Sequence, residues 1–197
     1  MDFVEPIRDK KQITQIKHQL EDTKRYRDLL LFVVGINSAL RISDLLPLRV
    51  GNFLDKDGET LERFLIREEK RDKRNVVAIN DSIRDALEKY KAAYPQAIEK
   101  LSHFVFFSSK RSGPDYSKPL QRIQAWRLIS EMCHAVGLVG NYGTHTLRKT
   151  WGYQARQSGV PLELIMAKLN HSNIAMTKRY LGITDDELRT IAEGLNL

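Results

Sequence analysis

Between Leu29 and Ile36 the chain is apolar at nearly every position: Leu29, Leu30, Phe32, Val33 and Ile36 leave no polar face. A helix that is apolar all round has to be buried on most sides. The run therefore predicts a central helix over residues 24–38, with other elements packed around it, and Thr23 is its candidate N-cap. It falls far short of the ~20 residues needed to span a bilayer, and the first residues contain no apolar run that could serve as a signal peptide. With 197 residues, 42% hydrophobic and 29% charged, the chain suits one soluble domain with a full core. Its single cysteine, Cys133, excludes an intramolecular disulfide and suits a reducing compartment. The net charge of +7 favours a polyanionic partner, nucleic acid before a membrane surface.

Around that helix the periods alternate. Residues 8–20 place Ile13, Ile16 and Leu20 on one face of an amphipathic helix. In residues 39–48 Arg41 interrupts an apolar stretch. It is either exposed at a helix junction or buried with an anionic partner, for which Asp44 or a bound phosphate could serve. Over residues 63–80 the period changes to two, which predicts a β-hairpin turning near Arg71 and Asp72. Its tip carries Lys70, Arg71, Lys73 and Arg74, either a solvated edge kept from aggregating by charge or a functional cation cluster. Asp81 or Ser82 is expected to cap a helix that runs to Tyr94 and stops at Pro95. Residues 104–107 read as a short strand, and residues 110–119 as a loop rich in Gly, Pro, Ser and Lys. Residues 122–136 read as a helix with Ile123, Trp126, Ile129 and Cys133 facing the core.

The densest chemistry lies in residues 144–180. Thr144 is the expected N-cap of a helix on which His145 and Arg148, three apart, share one face. A Gly159-Val160-Pro161 break ends that helix and starts the next. His171 follows Arg148 by 23 residues, and Tyr180 follows His171 by nine. Ser172 or Asn173 opens the helix carrying Tyr180, and a tail helix follows over 185–195. Leu188, Ile191, Ala192 and Leu195 form its narrow apolar stripe. The fold expected is mainly α with a small antiparallel β-sheet, an α+β architecture.

In order and spacing, Ala39-Leu40-Arg41-Ile42-Ser43-Asp44-Leu45-Leu46, Lys70 on the hairpin, His145-Thr146-Leu147-Arg148, Leu169-Asn170-His171-Ser172 and Tyr180 resemble the catalytic domain of the tyrosine recombinase (phage integrase) family. The resemblance runs from about residue 10 to 185, with 185–197 as a C-terminal tail helix on a single catalytic domain, 1–197. Asn170 stands where the family usually has glycine. The hairpin has Lys70-Arg71-Asp72-Lys73 where K-T-G-K is common, and Tyr180 is followed by Leu181-Gly182 where the family commonly has x-His. Family members usually carry a helical core-binding domain ahead of this region. Here only the helix over 8–20 precedes it, so the chain reads as a fragment or a naturally short protein, with the Met1 start favouring the second.

The resemblance implies a site-specific recombinase or integrase that cleaves and rejoins DNA through a covalent 3′-phosphotyrosyl intermediate. Arg41 and Arg148 would grip the non-bridging phosphate oxygens, since planar guanidinium forks suit them. Tyr180 would be the nucleophile, His145 the candidate base and His171 a hydrogen-bond partner of the phosphate. Lys70 would protonate the leaving oxygen as general acid, with Lys73 as the alternate. No metal or other cofactor is implied. The partners implied are double-stranded DNA and further copies of the chain, a monomer or weak oligomer free and a tetramer on DNA, in the cytoplasm with the nucleoid and away from membranes. Lys110, Arg111, Lys118, Arg122 and Lys149 are expected to position DNA phosphates. Two rival readings are strand relaxation of the type IB topoisomerase kind and a DNA-binding accessory protein without productive recombination.

Overall fold

The computed structural model describes residues 4–69 and 74–183. Lys70, Lys73 and the tail helix expected over 185–197 lie outside the described residues. The chain falls into two compact units, Met1–Trp151 and Gly152–Leu197.

In the first unit, α1 (Lys10–Asp22) starts where the Asp9 carboxylate accepts from the Lys11 amide at 2.8 Å. Ile16 and Leu20 bury its apolar face. Thr23, expected to open the next helix, closes α1 instead: its hydroxyl donates to the Gln19 carbonyl at 2.7 Å. The chain then reverses at Lys24, whose φ is +55°. Next comes α2 (Tyr26–Ser38), in which Leu29 through Gly35 are all buried. It packs against α1 on one side and α4 (Asp81–Ala93) on the other, so the all-round apolar run does become the centre of the core. The cap of α4 is Asn80, one residue ahead of the expected Asp81 or Ser82, with its side-chain oxygen accepting from the Ile83 amide.

α2 ends at Ala39 in the left-handed conformation, φ +61°. That turn feeds the short α3 (Ile42–Leu45), with Arg41 at its N-cap. The hairpin follows as expected, β1 (Arg63–Arg67) paired antiparallel with β2 (Arg74–Ala78) in the register Phe64 to Val77 and Arg67 to Arg74. Phe64 and Val77 face the core, while Leu65 and Val76 are exposed on the opposite face.

A second hairpin, β3 (Phe107–Lys110) with β4 (Gly113–Pro119), replaces the loop expected over 110–119. The strand expected over 104–107 begins only at Phe107, Phe104 forming an isolated bridge to Arg49. Ser108, Ser109, Lys110 and Pro114 give these strands no apolar alternation. What holds them is the edge-on contact of Phe107 with Tyr116, ring centroids 4.8 Å apart, and the turn at Gly113, φ +116°. In α5 (Arg122–Ala135) the buried face is Ala125, Ile129, Met132 and Cys133. Ile123 and Trp126, expected in the core, are 51% and 44% exposed. The apolar arc is wider than the core needs, and its leading edge is left to solvent.

An extended N-terminal segment is sewn to α6 (Thr146–Gln157) and the loop before it. The Thr146 hydroxyl donates to the Glu5 carbonyl at 3.0 Å and accepts from the Gly143 amide. The Ile7 amide donates to Thr150 Oγ1 at 2.9 Å, and the Glu5 amide to the Asn141 carbonyl at 2.8 Å. On the α2 side, Leu147 comes so close to Gly35 that a Cβ there would lie 2.4 Å from Leu147 Cδ1 and 3.0 Å from its Cβ.

The second unit holds the C-terminal part of α6, then α7 (Leu162–Lys168) after Pro161 and α8 (Ile174–Leu181). The Asn173 side chain caps α8 by accepting from the Met176 amide at 2.8 Å, and Gly182, φ +71°, ends it. Among the described residues no helix is long and apolar enough to cross a membrane.

Placing a side chain at residue 35 must push Leu147 away. Gly35→Val should destabilise the protein by roughly 1–3 kcal/mol through overpacking, read as a lower urea midpoint. An unchanged midpoint would show that Leu147 can move aside freely.

Candidate active site

Arg41, at the N-cap of α3, has a side chain only 15% exposed, and its Nη1 donates to Glu68 Oε2. The carboxylate that Arg41 meets is thus Glu68, not the expected Asp44. Asp44 does other work: its Oδ1 accepts from the Glu69 amide at 3.0 Å. Burial raises the Asp44 pKa, with Glu68 adding to the rise, while the Glu69 amide, Arg41 and Arg148 oppose it.

Arg148, on α6, is 2% exposed. Its Nη1 donates to the carbonyl of Ala39, the left-handed residue that ends α2. A buried guanidinium needs such acceptors, because an unpaired charge in the interior is costly. His145 lies in the turn just ahead of α6, which begins at Thr146, so Thr144 is not the cap and His145 is not on the helix proper. The His145 carbonyl accepts from the Lys149 amide at 2.9 Å, which fixes its backbone at the entry to the helix. One side of His145 is open to solvent. The surrounding protein desolvates the ring, and the charges of Arg122, Arg148, Lys149 and Arg41 add to that, so its pKa falls below the usual histidine range. A ring held neutral near neutral pH can take up a proton.

Both histidine and nucleophile candidates of the second unit sit together. His171 Nδ1 lies 3.0 Å from Thr177 Oγ1, and Thr177 is fully buried on α8. The His171 and Tyr180 rings meet edge-on, with centroids 5.0 Å apart at 72°. One further turn of α8 beyond Thr177 brings Tyr180 onto the same side as the imidazole. Asn170 adopts φ +50° at the end of α7. Apart from glycine, asparagine is among the residues that best tolerate that region, which explains the residue found there.

Of the further basic residues, Lys110, Arg111, Lys118 and Arg122 are exposed in the first unit. Lys110 Nζ lies 3.6 Å from Asp115 on the facing strand. Lys149 was expected at the surface, but it is 5% exposed. Burial, opposed by the charge of Glu5 and helped by that of Arg8, lowers its pKa to about 8. One step along α6 turns it about 100° away from Arg148, towards Glu5 and Arg8 of the N-terminal segment. Glu68 was missed altogether: in sequence it is one charge among several near the hairpin tip. Among the described residues no group of three or more His, Cys, Asp or Glu is placed to hold a metal ion.

Similarity to known proteins, in sequence and in fold, points to one family. The profile described as Phage integrase family covers residues 8–187. A probable integrase/recombinase, YoeC, of Bacillus subtilis is 38% identical over 189 residues, 96% of this chain and 95% of that protein. The tyrosine recombinase XerD of Staphylococcus aureus is 24% identical over 83% of this chain but only 52% of its own length, so this chain spans about half of that relative. The crystal structure of the XerH site-specific recombinase bound to palindromic difH substrate superposes with a TM-score of 0.74 at 18% identity. It covers 98% of this chain and 53% of that one, a likeness of fold.

The lowered Lys149 pKa gives a signed pH dependence. Between about 8 and the ordinary 10.5, the unfolded chain still binds a proton that the folded chain has released, so stability rises with pH across that window. Below pH 8 Lys149→Met should be more stable than wild type by about 1–3 kcal/mol, and the gap should close as pH approaches 10.5. Urea unfolding of both proteins across that range measures it, and parallel profiles would show that the ammonium is well solvated.

Proposed function

The chain belongs to the phage integrase family, and from that premise we propose that it cuts and rejoins DNA strands with Tyr180 as nucleophile. The observation that carries the reading is geometric. Arg148 Nη1 donates to the Ala39 carbonyl, two residues ahead of Arg41, so two guanidiniums share one neighbourhood although 107 residues separate them, and the charges of both bear on Asp44 and His145. A phosphodiester resists attack because its charge repels nucleophiles and more charge develops in the transition state. Planar donor forks fixed in advance are suited to that charge.

In the proposed reaction the Tyr180 phenolate oxygen attacks the phosphorus and forms a P–O bond to the 3′ side. The bond to the 5′ oxygen breaks, and a proton from Lys70 leaves with that oxygen as the 5′ hydroxyl. His145, neutral near pH 7, takes the phenol proton, and His171 hydrogen-bonds the phosphate. The phosphotyrosine conserves the ester bond, so a 5′ hydroxyl can reverse the step without a nucleotide. Double-stranded DNA is the proposed substrate, with Lys110, Arg111, Lys118 and Arg122 contacting its phosphates. Paired sites would assemble further copies of the chain. The DNA-bound XerH complex and the net charge of +7 support a DNA partner.

Tyr180→Phe removes one oxygen and should abolish covalent attachment to a nicked suicide duplex while DNA binding stays within a few-fold. An adduct that survives, or one that maps by mass spectrometry to Tyr142 or Tyr153, would overturn the assignment. Arg148→Lys should fail nearly as badly as Arg148→Ala, with losses of ~10²-fold or more, because an ammonium cannot reproduce the two-pronged fork. Cleavage near wild-type rates by the lysine variant would show that charge alone suffices.

A further inference from the structure

We infer that Glu68 is the positioning residue of Arg41, a buried carboxylate that sets the direction of the guanidinium fork. The inference rests on the reading of Arg41 as a phosphate ligand. The Glu68 side chain is fully buried, at 0% exposure, and each of its oxygens accepts a hydrogen bond. Oε2 accepts from Arg41 Nη1, and Oε1 accepts from Asn75 Nδ2 at 2.7 Å. Asn75 is 6% exposed and lies on β2, where it pairs with Ile66 of β1. The carboxylate is therefore held from both strands of the hairpin before it meets the arginine.

A second bond fixes the same junction. The amide of Glu69, the next residue, donates to Asp44 Oδ1, and Asp44 lies one turn along α3 from Arg41. One residue pair at the end of β1 thus grips both the side chain of Arg41 and the helix that Arg41 starts. A buried carboxylate is costly unless it is paired and hydrogen-bonded, and Arg41 and Asn75 supply that pairing here. What the carboxylate adds is direction. An arginine side chain has several soft torsions, and an acceptor on one nitrogen leaves the rest of the planar fork aimed one way. Holding a charged group in advance of its ligand is what makes it effective against charge that develops later.

The role predicts that Glu68 acts only through Arg41. Adduct formation on a nicked suicide duplex should slow about tenfold or more in Glu68→Ala. Glu68→Gln keeps an acceptor for Arg41 and should slow about threefold. Combining Glu68→Ala with Arg41→Ala should add less than twofold to the loss from Arg41→Ala alone. On a duplex whose scissile phosphate carries a methyl group in place of one non-bridging oxygen, less charge needs neutralising, so the loss from either Glu68 variant should shrink. If Glu68→Ala does not fold, the same cycle is run with Glu68→Gln. Cleavage within twofold of wild type by both Glu68 variants would overturn the inference. So would a loss that multiplies in full with that of Arg41→Ala and is equal on both duplexes, because that is what general damage produces. Wild-type cleavage by Arg41→Ala would overturn the assignment of the site, and the role of Glu68 with it; a crippled Arg41→Ala beside unimpaired Glu68 variants would overturn the role of Glu68 alone.

Discussion

A guanidinium withdrawn from water has to be given acceptors by the protein, and the candidate site in the first unit meets that demand for two arginines in two ways. Arg148 is met by a backbone carbonyl, that of Ala39; Arg41 is met by a carboxylate, that of Glu68. Each solution constrains what surrounds it. To aim its carbonyl, Ala39 ends α2 in a conformation that most residues avoid. α6 must lie close enough to α2 for Arg148 to reach, and the absent side chain at Gly35 lets Leu147 come within that range. Burial of Glu68 is helped by Asn75 on the next strand, which donates to its second oxygen. The core around α2 supplies the rigid frame that holds both arginines.

Charge in this chain is used internally as well as at the surface. The net +7 of the sequence suggests a uniformly basic exterior, yet two consecutive cations, Arg148 and Lys149, are buried. Asp28 in turn is buried between Arg25 and Arg27, at 3.0 and 2.7 Å. Such groups hold the fold in register at some cost in desolvation. The exposed cations proposed to meet a polyanion, Lys110, Arg111, Lys118 and Arg122, lie on the second hairpin and at the start of α5.

The sequence made the central helix legible because its apolar run admits only one placement, and the first hairpin because Phe64 and Val77 keep a period of two. It made the candidate site legible because the spacing of Arg41, His145, Arg148, His171 and Tyr180 follows a family pattern. Tertiary partners were not legible. Nothing local marks Glu68 as the partner of Arg41, since in sequence it is flanked by Arg67 and Glu69 and looks solvated. Lys149 reads as a surface cation until the N-terminal segment is found lying over its helix. The second hairpin escaped notice because aromatic contacts hold it rather than alternation. Thr23 has a cap's chemistry at either end of a helix, and only the reversal at Lys24 decides which helix it serves. Ile123 and Trp126 continue an apolar stripe further than the core extends.

The contact between Arg148 and Ala39 has one more consequence. Its acceptor is a peptide oxygen, which every amino acid supplies. Substitution at residue 39 changes how readily the chain makes the turn, but it cannot delete the oxygen itself. The anchor of this arginine is therefore written in no particular codon. Variation across related sequences at residue 39 would leave no trace of it, and a comparison that looks only for invariant side chains would pass over the group that Arg148 leans on.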